Sequence, residues 1–235
     1  MSDPAPVSTI VFDVNETLLD ITMLEPLFER LFGDAAMLRV WFAELVLYSQ
    51  AVTLSGKYTP FGELAGGVLR MVGENNSVAV TDADISELKS LIVSMPAYAD
   101  VKPALDRLRA AGFQLVTLTN SAPSPSPTPL EKAGIAELFD THFSVADVEK
   151  FKPHPDTYDM VAKAMGVEPS GLCMVACHVW DTIGAQSAGW QGALVTRPNN
   201  NALHAPNLPA PHFINSDLAA LAGQIIDANT AVGKE

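Results

Sequence analysis

The chain has 235 residues, 48% hydrophobic and 17% charged. That is the composition of a well-buried globular protein, either one large domain or a core carrying an insert. Its formal net charge of -13 argues against nucleic acid and anionic membrane surfaces as partners, because both require a positive face. The same field repels small anions, so any anion site here is expected to be locally positive.

The opening Met1-Ser2-Asp3-Pro4-Ala5-Pro6 has no basic region followed by an apolar one, and no apolar run is long enough to span a bilayer. The expected location is the cytoplasm. Ser8 to Phe12 then reads as a buried strand that ends abruptly at Asp13, where a carboxylate in an open α/β sheet projects into the ligand crevice. An Asp that caps a turn is the plainer alternative for this segment alone. From Met23 to Val52 apolar residues recur at helical intervals (Leu24, Phe28, Leu31, Leu38, Trp41, Leu45, Tyr48), with Gly33-Asp34 separating two helices. Further helices are expected over Thr59–Val72 and Thr81–Val93, and Met95-Pro96-Ala97 breaks the run. Residues 21–97 therefore read as an all-helical insert between a short first segment, 1–20, and the remainder, 98–235.

From Val101 helix and strand alternate. A helix over Pro103–Ala111 stops at Gly112, and a strand over Phe113–Leu118 ends in Thr119-Asn120. The proline-rich Ser121–Pro129 reads as a loop before a helical turn at Leu130–Gly134. Phe143–Val145 is a short strand; Phe151-Lys152-Pro153 precedes a helix over Pro155–Met165. Leu172–Ala176 is a buried strand, Thr182–Ala188 a helix, Gly192–Thr196 a strand, Phe213-Ile214 a last short strand, and Leu218–Ala228 a helix. Cys173 and Cys177, with His178 nearby, could suggest zinc, but their apolar setting reads as buried thiols in a strand.

Such alternation predicts a mainly parallel sheet covered on both faces, a doubly wound α/β fold. Asp13, Thr119-Asn120, Lys152 and Asp181 all fall at predicted strand ends or in the loops after them. Four polar groups where an open sheet gathers its ligands make a candidate site.

Phe12-Asp13-x-x-x-Thr17-Leu18, Leu118-Thr119-Asn120, Lys152-Pro153 with Tyr158, and Trp180-Asp181-x-x-Gly184-Ala185, in that order, resemble the haloacid dehalogenase superfamily and within it the 2-haloacid dehalogenase group. The resemblance runs from about residue 8 to 222 and implies a Rossmann-like core with the insert as a helical cap. It implies that Asp13 is a nucleophile that displaces halide from a small anionic 2-haloacid and forms an ester opened by water, with no metal or other cofactor. Thr17 would hold one Asp13 oxygen, Thr119 and Asn120 would line the anion side, Lys152 would supply positive charge, and Asp181 would position Lys152 and the water. Tyr158, Phe61 and Trp180 match positions around the family's pocket; apolar packing for the latter two, or a solvated hydroxyl for Tyr158, are the plain alternatives.

Two other readings stay open: a magnesium-dependent phosphatase of the same superfamily, and a member that binds a carboxylate without turning it over. Against the phosphatase, Asn15 stands where a second Asp would protonate an oxygen leaving group, and Cys177 where a metal-binding acid often sits. Other departures bear on the dehalogenase reading. Phe42 takes the place of the group's halide-holding Arg; Arg39, three residues earlier on the same helical face, could substitute or face solvent. Ala176 and His178 replace a small hydroxyl residue and an Asn, and Asn15-Glu16 replaces an aromatic-Gly pair. His178 is expected to donate a hydrogen bond to the substrate carboxylate or leaving group, and Glu16 to point away from the nucleophile or pair with a cation. The family's dimers form through cap helices, so Leu45, Leu47 and Tyr48 are candidates for a homodimer contact; burial within the fold explains them equally well.

Overall fold

Thr9–Phe12 (β1) carries four β-branched or aromatic residues, all buried, as suits a strand covered on both faces. The computed structural model describes residues 6–232 and sets β1 inside a six-stranded parallel sheet. The other strands are β2 (Gln114–Thr119), β3 (Thr141–Ser144), β4 (Leu172–Ala176), β5 (Gln191–Val195) and β6 (Phe213–Asn215), in the order β3-β2-β1-β4-β5-β6. Ile10 lies opposite Leu115 on one side and Cys173 on the other, and β4 and β5 are buried at every position. The chain runs from β1 outward through β2 and β3, then crosses back to β4. The direction of travel thus reverses between β1 and β4, and a crevice opens outside their carboxyl ends. Asp13 follows β1 immediately; Cys177 and His178 follow β4.

Between β1 and β2 the chain is helical. α1 (Glu25–Phe32) ends where Gly33 turns left-handed at φ 70°, a conformation glycine adopts without a Cβ clash. α2 (Met37–Leu54) and α3 (Phe61–Asn75) are tied by the buried Trp41 indole, which donates to the Ala65 carbonyl at 3.0 Å. α4 (Asp82–Ile92) starts at a reciprocal cap between Thr81 and Asp84. Leu45 is buried in this packing, which accounts for it without a second subunit, whereas Leu47 and Tyr48 are exposed.

α5 (Val101–Ala110) returns the chain to the sheet; it begins before Pro103, whose missing N–H costs nothing in a first turn. α6 (Pro129–Lys132) follows the proline-rich loop and is capped by Thr128 and Glu131. α7 (Pro155–Met165), α8 (Val179–Ser187) and α9 (Leu218–Val232) complete the layers. β3 begins at Thr141, earlier than the sequence suggests, and Val145 opens a helical turn instead of ending the strand. α8 starts at Val179, not Thr182, because His178 occupies its N-cap position and its carbonyl accepts from the Asp181 amide at 3.0 Å. Trp180 and Asp181 therefore stand in a first helical turn rather than a loop. Gly184, on α8, packs so closely on Tyr158 and Pro153 that a Cβ has no room there.

Arg197, just past β5, fastens the loop that carries Asp13. Its guanidinium donates twice to the Thr17 carbonyl (3.2 and 3.0 Å) and twice to Asp100 (2.8 and 2.9 Å), and lies 4.0 Å from the Tyr98 ring centre. Among the described residues no helix is long and apolar enough to cross a membrane. The segment Met1–Ala5, read as lacking a leader, lies outside the described residues.

Candidate active site

Lys152 is the hub of the crevice. Its fully buried ammonium donates to Asp13 Oδ1 (2.9 Å), Asp181 Oδ2 (2.6 Å) and the Leu118 carbonyl (2.9 Å), so each of its three N–H bonds has an acceptor. Its backbone amide donates to Asn120 Oδ1 at 3.0 Å, which joins the end of β2 to the Lys152 loop. Burial alone would lower the Lys152 pKa, but the two carboxylates raise it, so the side chain stays charged. Asp13 lies well below the usual carboxylate range: burial raises it, and Lys152 and His178 outweigh that. Asp181 is displaced the other way, raised by burial and by Asp13 despite Lys152. One carboxylate is thus firmly ionised and its neighbour is the better proton acceptor.

Thr17 Oγ1 donates to Asp13 Oδ2 at 2.7 Å and accepts from the Cys177 amide at 2.9 Å. His178 bridges two acids, with Nδ1 3.0 Å from Asp13 Oδ2 and Nε2 2.9 Å from Glu16 Oε2. Both ring nitrogens are therefore engaged within the protein, and the expected donation to a substrate carboxylate or leaving group has no free N–H to make it. Glu16, at φ 65°, also accepts from Arg39 and from Asn200 Nδ2 (2.9 Å). It pairs with cations instead of crowding the nucleophile. Arg39 is bound to Glu16 and so is not a stand-in for the family's halide-holding Arg. Lys152, His178 and Arg39 face Asp13, Glu16 and Asp181, so the site is balanced in charge, not positive as an anion site in so acidic a chain was expected to be.

Phe42 and Trp180 both stack on the His178 ring, with ring centres 5.4 and 5.1 Å away. Tyr158 is fully buried, and its hydroxyl donates to Asp181 Oδ1 at 2.7 Å. It braces an acid and is not among the residues that border the neighbouring cavity. Next to these groups, a cavity of about 620 Å³ lies between the helices and the ends of the strands. Asn15, Phe42, Phe61 and Thr119 border it, with Trp41 and Leu45 from α2; Trp180 does not. Asn15 donates to the Ser121 hydroxyl at 3.3 Å, and Thr119 Oγ1 accepts from the Ser121 amide at 3.1 Å.

Asp13, Cys177 and His178 bring three potential ligand atoms within 4.8 Å of one another. Magnesium takes oxygen ligands, and of these three only Asp13 has one to give. Burial pushes the Cys177 thiol up, so it is protonated, and the His178 ring already serves two acids. The trio does not suit that ion.

A family model described as haloacid dehalogenase-like hydrolase matches residues 7–189, and the chain belongs to that family. An (S)-2-haloacid dehalogenase of Pseudomonas putida is 27% identical over 196 residues, which cover 82% of this chain and 86% of the relative. A solved L-2-haloacid dehalogenase superposes with a TM-score of 0.88 at 26% identity, over 94% of this chain and 99% of that one. The L-2-haloacid dehalogenase of Xanthobacter autotrophicus with chloropropionic acid covalently bound superposes with a TM-score of 0.83 at 23% identity, over 93% and 98% of the two chains. At that identity the last match speaks to the fold alone.

Sequence reasoning missed Arg197, Asn200 and the Leu118 carbonyl. No short motif marks Arg197 or Asn200, which reach the site from a distant segment, and within the Leu118-Thr119-Asn120 motif a backbone carbonyl carries no side-chain signal. Lys152→Met would leave two carboxylates buried without their cation and should cost about 3–5 kcal/mol at pH 7. In the intact protein, depressed Asp13 contributes stability above the ordinary carboxylate range and loses it as pH falls through its folded value. In the variant both acids shift upward and the folded state takes up protons more readily than the unfolded chain. The deficit should therefore shrink between pH 7 and pH 5, read as urea midpoints at both pH values. A deficit independent of pH would contradict this assignment.

Proposed function

We propose that the protein is a hydrolytic dehalogenase of small 2-halocarboxylates that works through an ester on Asp13. The observation that supports this most directly is the ionised Asp13, held between Lys152 and Thr17 beside an apolar cavity, with Asn15 where an oxygen leaving group would need an acid. Asp13 Oδ1 attacks C2 of the substrate as the carbon–halogen bond breaks, and the halide leaves with the bonding pair. No proton is needed, because chloride and bromide are stable anions. Water then adds to the Asp13 carboxyl carbon, with Asp181 as proton acceptor and Lys152 holding both acids in line. The products are a 2-hydroxy acid, halide and a proton, and Asp13 is regenerated. Asn120 turns its carbonyl oxygen to the Lys152 amide, leaving its amide hydrogens as donors to the substrate carboxylate, with Thr119 beside it. Phe42 and Phe61 form the apolar wall around the reacting carbon.

In this reading residues 21–97 act as a cap over a core made of 1–20 and 98–235. The protein acts in the cytoplasm, where Cys173 and Cys177 stay reduced; recovery from another cell fraction would contradict this. Val40, Leu47, Tyr48 and Leu54 leave an exposed apolar strip along α2 that supports pairing with a second copy. Sedimentation should then give a dimer at micromolar concentration, and a monomer across that range would refute it.

Chloroacetate, bromoacetate and the two 2-chloropropionate enantiomers should release halide without added metal, preferentially for one enantiomer. Asp13→Asn should lower that rate by at least about 10⁴-fold, comparable to loss of a nucleophile elsewhere. Hydrolysis of an aryl phosphate on addition of magnesium, with no halide release, would instead favour the phosphatase reading.

A further inference from the structure

His178 is a buried cation for which neither the displacement nor the proton transfer above has a use. An imidazole that lies within hydrogen-bond distance of a carboxylate at each nitrogen donates from both, which makes it an imidazolium. Burial opposes that charge, but Cys177, Asp13 and Glu16 raise its pKa well above the ordinary value. Because the Cys177 thiol is itself protonated, the two carboxylates are the groups that hold the charge. Phe42 and Trp180 stack on the ring and fix its plane. Glu16 is held in turn by Arg39 and Asn200, in a left-handed backbone conformation that a non-glycine residue keeps only when its surroundings impose it.

The two oxygens of Asp13 are engaged unequally. Oδ1 faces the Lys152 ammonium, whereas Oδ2 takes both the Thr17 hydroxyl and the His178 ring. The Cys177 amide donates to Thr17 Oγ1, which directs the hydroxyl hydrogen onto Oδ2. Oδ1 has the more available lone pairs and is the attacking atom. Oδ2 then becomes the carbonyl oxygen of the ester and keeps both donors. Given the ester reading above, we infer that the Thr17 hydroxyl and the His178 Nδ1–H form a cationic oxyanion hole for the hydrolytic step. His178 is thus a catalytic residue, and Glu16 the residue that positions its ring.

The electron count supports the division of labour. As the water oxygen bonds to the Asp13 carboxyl carbon, its proton passes to Asp181 and the carbonyl pair moves onto Oδ2, where Thr17 and His178 meet the charge. When that pair returns, the bond from the carboxyl carbon to Oδ1 breaks. The departing 2-hydroxy acid takes Oδ1 and recovers the proton from Asp181, and the new carboxyl group loses its own proton to solvent. The same two donors neutralise the nucleophile beforehand, so they slow alkylation while they speed hydrolysis.

Rapid-quench measurements with chloroacetate separate the two steps, with halide release and the mass of the Asp13 peptide as readouts. His178→Ala, which removes the donor, should give a burst of one halide per chain, at a rate no lower than in the intact protein. A steady state slowed about 100-fold should follow, with the substrate-derived mass on Asp13. Glu16→Gln keeps the ring but removes one of the two carboxylates that hold its proton, leaving Asp13 and the Cys177 thiol as the titratable groups that face it. Its hydrolysis should slow by a smaller factor, and the alkaline limb of that step should move to lower pH. If His178→Ala does not fold, Glu16→Gln decides alone. A burst slowed in parallel with turnover, no ester in either variant, or an unmoved alkaline limb in Glu16→Gln would overturn the inference while the dehalogenase reading stands. An intact protein that neither releases halide nor carries an adduct would overturn both.

Discussion

The structure depends on one buried ammonium shared between two acids. Lys152 meets Asp13, Asp181 and the Leu118 carbonyl with its three N–H bonds, and through them gathers the ends of β1 and β2 and the first turn of α8. Taking three charges out of water is costly unless every hydrogen bond is made, and here it is. Tyr158 completes the set from α7 by donating to the second oxygen of Asp181. The doubly wound topology makes this meeting possible, because the reversal of strand order between β1 and β4 brings residues distant in sequence to one crevice.

Around that hub, two like side chains acquire unlike chemistry. Asp13 is surrounded by donors and pushed below the normal carboxylate range; Asp181, deeper and beside another acid, is pushed above it. The pair thus divides into an ionised group suited to attack carbon and a more basic one suited to take a proton from water. A second chain of charges, Asp13 to His178 to Glu16 to Arg39, runs out toward α2. It links the reacting centre to the helices above it and keeps the site neutral overall.

The fold was legible because its signals are local. A β-branched run marks β1 and an apolar one β4, Gly33 ends α1, and Gly112 follows α5. Asp13, Thr17, Lys152 and Asp181 could be singled out because each follows a strand or sits in a short motif, and the crevice brings all four together. What the sequence could not convey was direction. His178 looked free to serve a substrate, yet Glu16, left-handed at a position the family gives to glycine, captures its far nitrogen. Arg39 lies one helical turn from Phe42, but its partner is Glu16, not the cavity. Tyr158 turned inward because Asp181, placed by a helix that begins earlier than its apolar pattern suggests, needed a second donor. Arg197 and Asn200, beyond the last strong motif, reach Thr17 and Glu16 across the fold, and no spacing in the chain announces such contacts.

The central claim is that Asp13 itself bonds to carbon and that water later reopens that bond at the carboxyl group. A single turnover in heavy-oxygen water, with enzyme in excess over 2-chloropropionate, tests it most directly. The account predicts ordinary oxygen in the new hydroxyl of the product and the heavy isotope in the Asp13 peptide. Heavy oxygen in the product with Asp13 unlabelled would mean that water attacks the substrate directly, and would contradict it.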